Sequence, residues 1–355
     1  MKKWTIILSL MLLLTACAGP NGKTETSGQD QSTGPVTVEK QDDQDKAQTK
    51  TNNDTKTEQV YQIGILQIAE HSALDENREG FIKALENAGL NVKIDYKNAQ
   101  GDVTNALAMA KKFVDDQVDL IFAIATPAAQ ATKQATKDSN IPVLFSAVTD
   151  PVGAQLVESW ESPAANITGT SDQTPTRLQL EIFQQLNQDI KTVGIIYNTG
   201  ETNSESQLRA AEKEAAEIGL TILPVGITTI NDIPKAMEVM LAKTDAMYAL
   251  TDNLVAASLD LISHLALERK YIIVQSYIDE TDAAEGILIS NGFSYYDLGG
   301  QTGEMAVRIL KGEKKAAEIP VLGAAEQTEN MVRQKALEAI GIDPELEIIK
   351  KARMK

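Results

Sequence analysis

The stretch DLIFAIATPAAQAT at residues 119–132 returns, with changes, as DAMYALTDNLVAAS at residues 245–258. In both copies an apolar run ends in residues that favour a helix start, Thr126 with Pro127 in the first and Asp252 in the second. This order predicts a buried strand that runs directly into a helix. The chain therefore carries two versions of one strand–turn–helix unit.

The similarity extends to the segments on either side of this unit. VGIIYN at residues 193–198 matches IGILQI at 63–68, and IIVQS at 272–276 matches PVLFS at 142–146. Continuous apolar strands separated by amphipathic helices are typical of parallel sheets that are covered on both faces. The predicted fold class is α/β, with two doubly wound parallel-sheet lobes.

The remainder of the chain, from Gly286 onward, is too long to leave out of the two lobes. It contains a strand, a helix at 295–311, an extended segment and a last helix predicted over Glu329 to Ile340. The simplest placement sends this remainder back to the first lobe and then to the second, by crossings near 167–171, 286–292 and 321–328. Three crossings make a hinge. The predicted lobes are 60–168 plus 291–322, and 169–290 plus 323–355.

The N-terminal segment has the order of an export signal. Lys2 and Lys3 precede an apolar run, and small residues precede Cys17, the only cysteine among the 355 residues. The sequence LTAC resembles a bacterial lipobox, so residues 1–16 are predicted as a signal peptide and Cys17 as the lipidated residue. The alternative is an ordinary signal peptide with a chance cysteine. Residues 17–59 are polar and are predicted as a disordered tether that follows the anchor.

Composition argues against several classes of protein. The 50 acidic and 33 basic residues give a net charge of −17, which disfavours nucleic-acid binding. GxGxxG after the first strand, GxxxxGK[ST] and GxSxG motifs are missing from the sequence. The chain has only 2 histidines, so few residues are available as metal ligands or for Ser-His-Asp catalysis. We expect no enzyme activity, no metal and no cofactor.

Ligands of open parallel sheets bind beyond the carboxyl ends of the strands, where helices begin. In this chain those turns are polar, in both lobes. Capping of helices or turns would explain each turn taken alone; together they predict a cleft. The candidate ligand-binding residues are His71, Thr126, Ala128, Val148, Asp150, Asp172, Tyr197, Asn198, Glu201, Ser204, Thr251, Asp252 and Asn253.

Several stretches resemble the tryptophan-binding-protein-like substrate-binding lipoproteins of bacterial ABC transporters. They are EHSALDENREGF (70–81), NAQGD (98–102), ATPAAQA (125–131), FSAVTDPVGAQLV (145–157), ITGTSDQTP (167–175), YNTGETNSESQ (197–207), TDN (251–253) and YYDLGGQTGEMAVRILKGE (295–313). The resemblance implies a type I periplasmic-binding-protein-like fold that closes on a small ligand and presents it to a permease. Members are similar in binding aromatic amino acids. Ser72, where proline is more common, departs from the pattern.

An amino acid would place its carboxylate at the helix starts near Thr126 and Ser204. Its ammonium needs a carboxylate, and Asp252 is the first candidate, with Asp172 and Asp150 as alternatives. Aromatic contacts would come from Tyr197, Phe145 or Tyr277, unless these residues pack in the cores.

We therefore expect a monomeric binding protein, anchored outside the cell membrane only by its lipid. It would deliver an aromatic or hydrophobic amino acid, such as tryptophan or phenylalanine, to an ABC permease. The alternative is a sensory or surface lipoprotein that presents a ligand to a receptor. A transcription regulator of this fold would instead need an N-terminal DNA-binding helix pair.

Overall fold

The computed structural model describes residues 59–163, 165–323 and 328–355. The predicted signal peptide, the lipidated Cys17 and the tether up to residue 58 lie outside these residues. In the part of the chain that is described, no helix has both the length and the apolar character to cross a membrane.

The first lobe begins with alternating strands and helices, as predicted. Its elements are β1 (Tyr61–Gln67), α1 (Ser72–Asn87), β2 (Val92–Asn98), α2 (Val103–Asp115), β3 (Leu120–Ile124), α3 (Thr126–Ala135), β4 (Val143–Ser146) and β5 (Ile167–Ser171).

The second lobe repeats the alternation. Its elements are α4 (Thr176–Leu186), β6 (Thr192–Asn198), α5 (Thr202–Glu217), β7 (Thr221–Ile227), α6 (Ile233–Lys243), β8 (Ala246–Ala249), α7 (Asn253–Ala256), α8 (Leu259–Arg269), β9 (Ile272–Gln275) and β10 (Ile289–Gly292).

The C-terminal part of the chain completes both lobes. Its elements are α9 (Tyr295–Leu310), β11 (Leu322–Gly323), β12 (Glu329–Val332), α10 (Gln334–Ile340), α11 (Glu347–Lys350) and β13 (Arg353–Met354). The helix predicted over Glu329 to Ile340 was wrong in its first turn. Those residues form β12 because they pair antiparallel with β10, and only the remainder is helical.

The two sheets repeat one strand order. The first runs β11-β5-β4-β3-β1-β2 and the second β13-β12-β10-β9-β8-β6-β7, so β5-β4-β3-β1-β2 corresponds to β10-β9-β8-β6-β7. The pairing is parallel except between β10 and β12. The prediction of two parallel-sheet α/β lobes is confirmed, with one antiparallel pair added in the second lobe.

Strand pairing moves the predicted lobe limits by a few residues. Residue 168 falls inside β5, which pairs with β4 in the first sheet, and residue 290 falls inside β10, which pairs with β9 in the second. The chain therefore leaves the first sheet after Ser171 and the second after Gly292.

Each lobe has its own core. In the first, the rings of Phe81 and Phe122 stack with centroids 3.9 Å apart. Met305 of α9 belongs to this core, whereas Phe183 of α4 belongs to the second lobe, so both helices follow a crossing. Apolar clusters lie on both faces of the second sheet, around Phe183 and around Met240.

Helices α1 and α9 approach closely because glycines face the neighbouring backbone. A Cβ on Gly299 would lie 1.8 Å from the carbonyl oxygen of Asn77, and one on Gly80 would lie 1.9 Å from that of Tyr296. This packing holds α9 against α1, the first helix of the lobe. It also positions the first residue of α9, Tyr295, at the hinge.

Candidate ligand-binding site

A small cavity lies between the lobes, beyond the carboxyl ends of the strands, and leaves about 20 Å³ for the centres of water-sized molecules. In this closed arrangement the space holds about one water molecule, so an amino acid could enter only if the lobes part. Its walls come from both lobes and from the hinge. The lining residues are His71, Ala73, Leu74, Ala147, Asp172, Asn203, Thr251, Asp252, Asn253, Ala256, Tyr277 and Tyr295.

Hydrogen bonds join the two lobes around this cavity. His71 Nε2 lies 3.3 Å from Asn253 Oδ1, and the hydroxyl oxygens of Thr149 and Thr251 are 3.4 Å apart. Further out, Ser72 donates to Asp279, and Ser206 donates to Asp150 over 3.0 Å. The lobes are in contact on several sides of the cleft, so the conformation is closed.

Asp172 lies directly after β5, where the chain leaves the first sheet. Its Oδ2 accepts a hydrogen bond from the hydroxyl of Tyr295 over 2.6 Å, while Oδ1 is buried with no hydrogen-bond partner. Burial raises the pKa of this carboxyl group above its usual range. A cationic group next to Oδ1 would supply the partner that the buried carboxylate lacks.

Asp252 has its hydrogen-bonding capacity filled by the protein itself. Its Oδ1 accepts from the backbone N–H groups of Leu254 and Val255 over 3.0 and 2.9 Å, which caps α7. Its Oδ2 accepts from Ser204 Oγ over 2.6 Å and from the backbone N–H of Asn198 over 2.5 Å. Asp252 therefore acts as the N-cap of α7, as the capping interpretation of its turn predicts. Of the two aspartates, Asp172 is the one with a carboxylate oxygen that lacks a partner.

Glu201 organises the wall that the second lobe contributes. Its Oε2 accepts from the amide groups of Asn203 and Asn253 over 3.0 and 2.7 Å. Burial and the nearby charge of Asp252 raise the pKa of Glu201 to about 7. Glu201 thus sets the orientation of two lining asparagines although it does not line the cavity.

Two tyrosines form the aromatic part of the lining, beside Asp172. The rings of Tyr277 and Tyr295 lie edge to face with centroids 6.1 Å apart. Of the aromatic residues predicted to contact a ligand, Tyr277 lines the cavity, Phe145 is fully buried in the first core and Tyr197 packs against the second. A tyrosine pair beside a carboxylate suits a cationic group.

The backbone is unusual at the ends of two neighbouring strands of the first lobe. Ala125 follows β3 with φ of 79° and Ala147 follows β4 with φ of 56°. Non-glycine residues rarely adopt this region, and such strain clusters at ligand sites. Ala147 lines the cavity, so the strained backbone forms part of its wall.

The structure brings some of the predicted site residues together at the cavity and places others behind it. His71, Asp172, Thr251, Asp252 and Asn253 line it. Those that do not line it are Thr126, Ala128, Val148, Asp150, Tyr197, Asn198, Glu201 and Ser204.

Outside the lining, the side chains of Asp150 and Ser204 have hydrogen-bond partners, whereas that of Thr126 has none. Asp150 contacts Ser206 across the lobes, and Ser204 contacts Asp252. Thr126 begins α3, and its Oγ1 is buried without a hydrogen-bond partner.

Lining residues that were not predicted are mostly small and apolar. Ala73, Leu74, Ala147 and Ala256 carry no chemical signal in a sequence. Asn203 lies between the predicted Glu201 and Ser204, so the polar turn at the start of α5 could have predicted it from the sequence. Tyr295 comes shortly after the second predicted crossing, near 286–292, so its position next to the hinge could have been expected from the sequence.

Comparisons with known proteins agree with this architecture. The model of one family, described as ABC transporter substrate binding protein, matches residues 62–355. A tyrosine-binding protein of Clostridioides difficile (strain R20291) is 40% identical over 293 residues, which is 81% of this chain and 83% of that protein. The chain belongs to the ABC transporter substrate-binding protein family. These matches are to binding proteins, which confirms that the chain is not an enzyme.

Two solved structures of the family differ in their likeness to this chain. A Streptococcus pneumoniae ABC domain in complex with L-Trp is 34% identical, covers 83% of this chain and 99% of its own, and has a TM-score of 0.78. The ligand-free, open structure of a Clostridium difficile substrate-binding protein with adhesive properties is 40% identical with the same coverage of 83% and 99%, but its TM-score is 0.62. The chain of residues 59–355 is thus more similar in the arrangement of its lobes to the tryptophan-bound structure than to the open one.

Proposed function

We propose that this substrate-binding protein binds an aromatic amino acid in the cavity between its lobes, with the ligand ammonium at Asp172. The observation that carries the proposal is the unpaired Oδ1 of Asp172, a buried carboxylate oxygen in the cavity lining. The donors to the other buried carboxylates are hydroxyl and amide groups of the protein. Asp172 is therefore the group that gains most from a cationic ligand.

The relatives support the chemical class of this ligand. One is a tyrosine-binding protein and another is a structure in complex with L-Trp. Leu74, Tyr277, Tyr295 and three alanines of the lining offer the apolar and ring contacts that such a side chain needs.

Delivery to a membrane permease completes the proposed role. Residues 1–16 would direct export, Cys17 would carry the lipid, and residues 17–59 would tether a monomeric binding domain outside the membrane. Because ligand contacts come from both lobes, binding would favour the closed form, which is the form a permease would recognise.

A second candidate function is a surface interaction, in which the anchored protein contacts a receptor or another cell. It is favoured by the likeness to the Clostridium difficile substrate-binding protein with adhesive properties. Binding of the purified protein to cell surfaces, with and without ligand, separates this role from transport.

Calorimetric titration of the purified protein with L-tyrosine and L-tryptophan tests the proposed ligand class. Asp172→Asn removes the charge and keeps the size, and we expect affinity to fall by roughly thirtyfold or more, as for loss of one partner of a buried ion pair. Asp260→Asn, an exposed change on α8, serves as the control.

Ligand analogues separate the role of the ammonium from that of the ring. 3-(4-Hydroxyphenyl)propionate, which lacks the ammonium, should bind weakly to the wild type and lose nothing further in Asp172→Asn. Equal binding of this acid and of L-tyrosine to the wild type would contradict the assignment of Asp172.

A further inference from the structure

The lining of the cavity offers hydrogen-bond acceptors that the protein leaves unused. Among the described lining residues, the buried polar atoms without a partner are His71 Nδ1, Asp172 Oδ1 and Asn203 Oδ1. Asn203 presents its oxygen because its Nδ2 donates to Glu201 and, over 3.0 Å, to the carbonyl of Thr251. Whether the third atom, His71 Nδ1, donates or accepts a hydrogen bond depends on which imidazole nitrogen carries the proton.

Contacts of Asn253 define the position of that proton. Asn253 Nδ2 lies 2.7 Å from Glu201 Oε2, an oxygen that also accepts from Asn203. The amide nitrogen of Asn253 therefore faces Glu201, and its Oδ1 faces His71 Nε2 at 3.3 Å. Because Oδ1 can only accept, His71 Nε2 must donate.

The remaining imidazole nitrogen is then an acceptor. Burial is the largest influence on His71 and lowers its pKa, which keeps the ring neutral. A neutral imidazole with its proton on Nε2 has a lone pair on Nδ1. Nδ1 is buried without a partner in the wall of the cavity, so a ligand is the group that can satisfy it.

His71 adjoins the apolar part of the lining. It is the residue before α1, two positions from Ala73 and three from Leu74, whereas Asp172 is bonded to Tyr295 at the hinge. A ligand with its ammonium at Asp172 would lay its apolar side chain on Ala73 and Leu74. The polar edge of an aromatic ring would then come next to His71.

We infer that His71 Nδ1 accepts a hydrogen bond from the side chain of the ligand, so that the cavity prefers aromatic rings bearing an O–H or N–H donor over plain phenyl rings. The inference rests on the proposed function, since it requires an aromatic amino acid in this cavity. A buried acceptor left unpaired costs about 1–3 kcal/mol. The expected preference for tyrosine over a ring without a donor is thus roughly tenfold to hundredfold.

Calorimetry with matched ligands tests the preference. L-Tyrosine is compared with 4-fluoro-L-phenylalanine, and L-tryptophan with 3-(benzothiophen-3-yl)-L-alanine, because each second ligand keeps the ring size and lacks the donor. Wild type should prefer the donor-bearing member of each pair. Equal affinities within both pairs overturn the inference and leave the proposed function standing, whereas no binding of any of the four overturns both.

Two variants at the same position separate the two imidazole nitrogens. His71→Asn places a side-chain oxygen near the position of Nδ1, and His71→Gln reaches toward Asn253 in place of Nε2. We expect the first to keep part of the preference for tyrosine and the second to lose it. A uniform loss of affinity for all four ligands in His71→Gln would instead place His71 at the ammonium and overturn the inference.

Nitrogen NMR provides a readout that does not depend on mutation. The chain has only 2 histidines, His71 and His264, so a ¹⁵N-histidine-labelled sample gives few resonances, and the exposed His264 is an internal reference. His71 Nδ1 should resonate as an unprotonated nitrogen and should move on addition of tyrosine but not of 4-fluorophenylalanine. A protonated Nδ1 in the free protein overturns the inference.

Discussion

The two lobes share a strand order but differ in how their third strand ends. β3 runs into Thr126, whose hydroxyl is buried without a partner at the start of the ten-residue helix α3. β8 runs toward Asp252, which accepts hydrogen bonds from hydroxyl and backbone groups and caps the four-residue helix α7. The second lobe thus satisfies its polar turn internally, while in the first the Thr126 hydroxyl stays unpaired.

Contacts across the cleft follow the repeat more closely. Asp150 follows β4 and accepts from Ser206 on α5, while Asp279 follows the corresponding strand β9 and accepts from Ser72 on α1. Each lobe therefore reaches from the end of its fourth strand to the helix that follows the first strand of the other lobe. The repeated fold holds the cleft closed by two equivalent contacts, and the unequal turns distinguish the lobes chemically.

The difference between the two turns predicts the largest effect. Asp252→Ala leaves several buried donors unpaired and removes a helix cap, so we expect a loss of about 3 kcal/mol in the free energy of unfolding. Thr126→Ala should cost less than about 1 kcal/mol, because its hydroxyl has no partner in the protein. Urea denaturation of both variants measures this contrast, and equal losses would contradict it.

Packing of α1 against α9 in the first lobe predicts the next effect. A methyl group at Gly299 meets the backbone of Asn77, so Gly299→Ala should lower the free energy of unfolding by about 2 kcal/mol. At the adjacent Gly300 the nearest atom is 4.0 Å from the new Cβ, and alanine favours the helix. Gly300→Ala should be neutral or stabilising in thermal unfolding; destabilisation of the same size in both variants would argue against close packing at Gly299.

Loss of each cross-cleft contact should weaken ligand binding unequally. Ser72→Ala leaves the buried Asp279 short of a donor, and we expect roughly tenfold weaker binding. Ser206→Ala affects the half-buried Asp150, and about twofold is expected. Titration calorimetry measures both, with unfolding curves to show that the lobes remain folded. A larger effect at Ser206 would reverse the ranking of the two contacts.

The buried carboxylate Glu201 predicts a modest dependence of stability on pH. Its pKa is raised to about 7 in the folded protein, above the value of about 4.3 in an unfolded chain. The folded state therefore binds more protons between these values, and stability falls as pH rises from about 4.5 to about 7. Glu201→Gln should flatten this decline in Tm without abolishing it, because burial and neighbouring acids also raise the pKa of Glu76 to about 7. If the slope of Tm against pH were unchanged in Glu201→Gln, the pKa of Glu201 would not be raised in the folded protein.

Sequence reasoning reached most of the fold because its signals are local. Apolar runs gave β3 and β8, and turn residues gave the helix starts. It failed at residues 329–332, where a helical pattern is overridden by pairing with β10, a contact that no local signal reports. The site was harder, because charge marked Asp252 as the partner of an ammonium while hydrogen bonds visible only in three dimensions satisfy it.

The return of α9 to the first lobe has a consequence for the order of folding. Residues 176–292 form a continuous part of the second sheet, but the first lobe lacks a helix against α1 until α9 has been made. The face of α1 that α9 covers includes Gly80, where a Cβ would lie 1.9 Å from the carbonyl oxygen of Tyr296. Contacts between residues so far apart in the sequence slow folding, so the first lobe would reach its final packing only after residues 295–310 have been made.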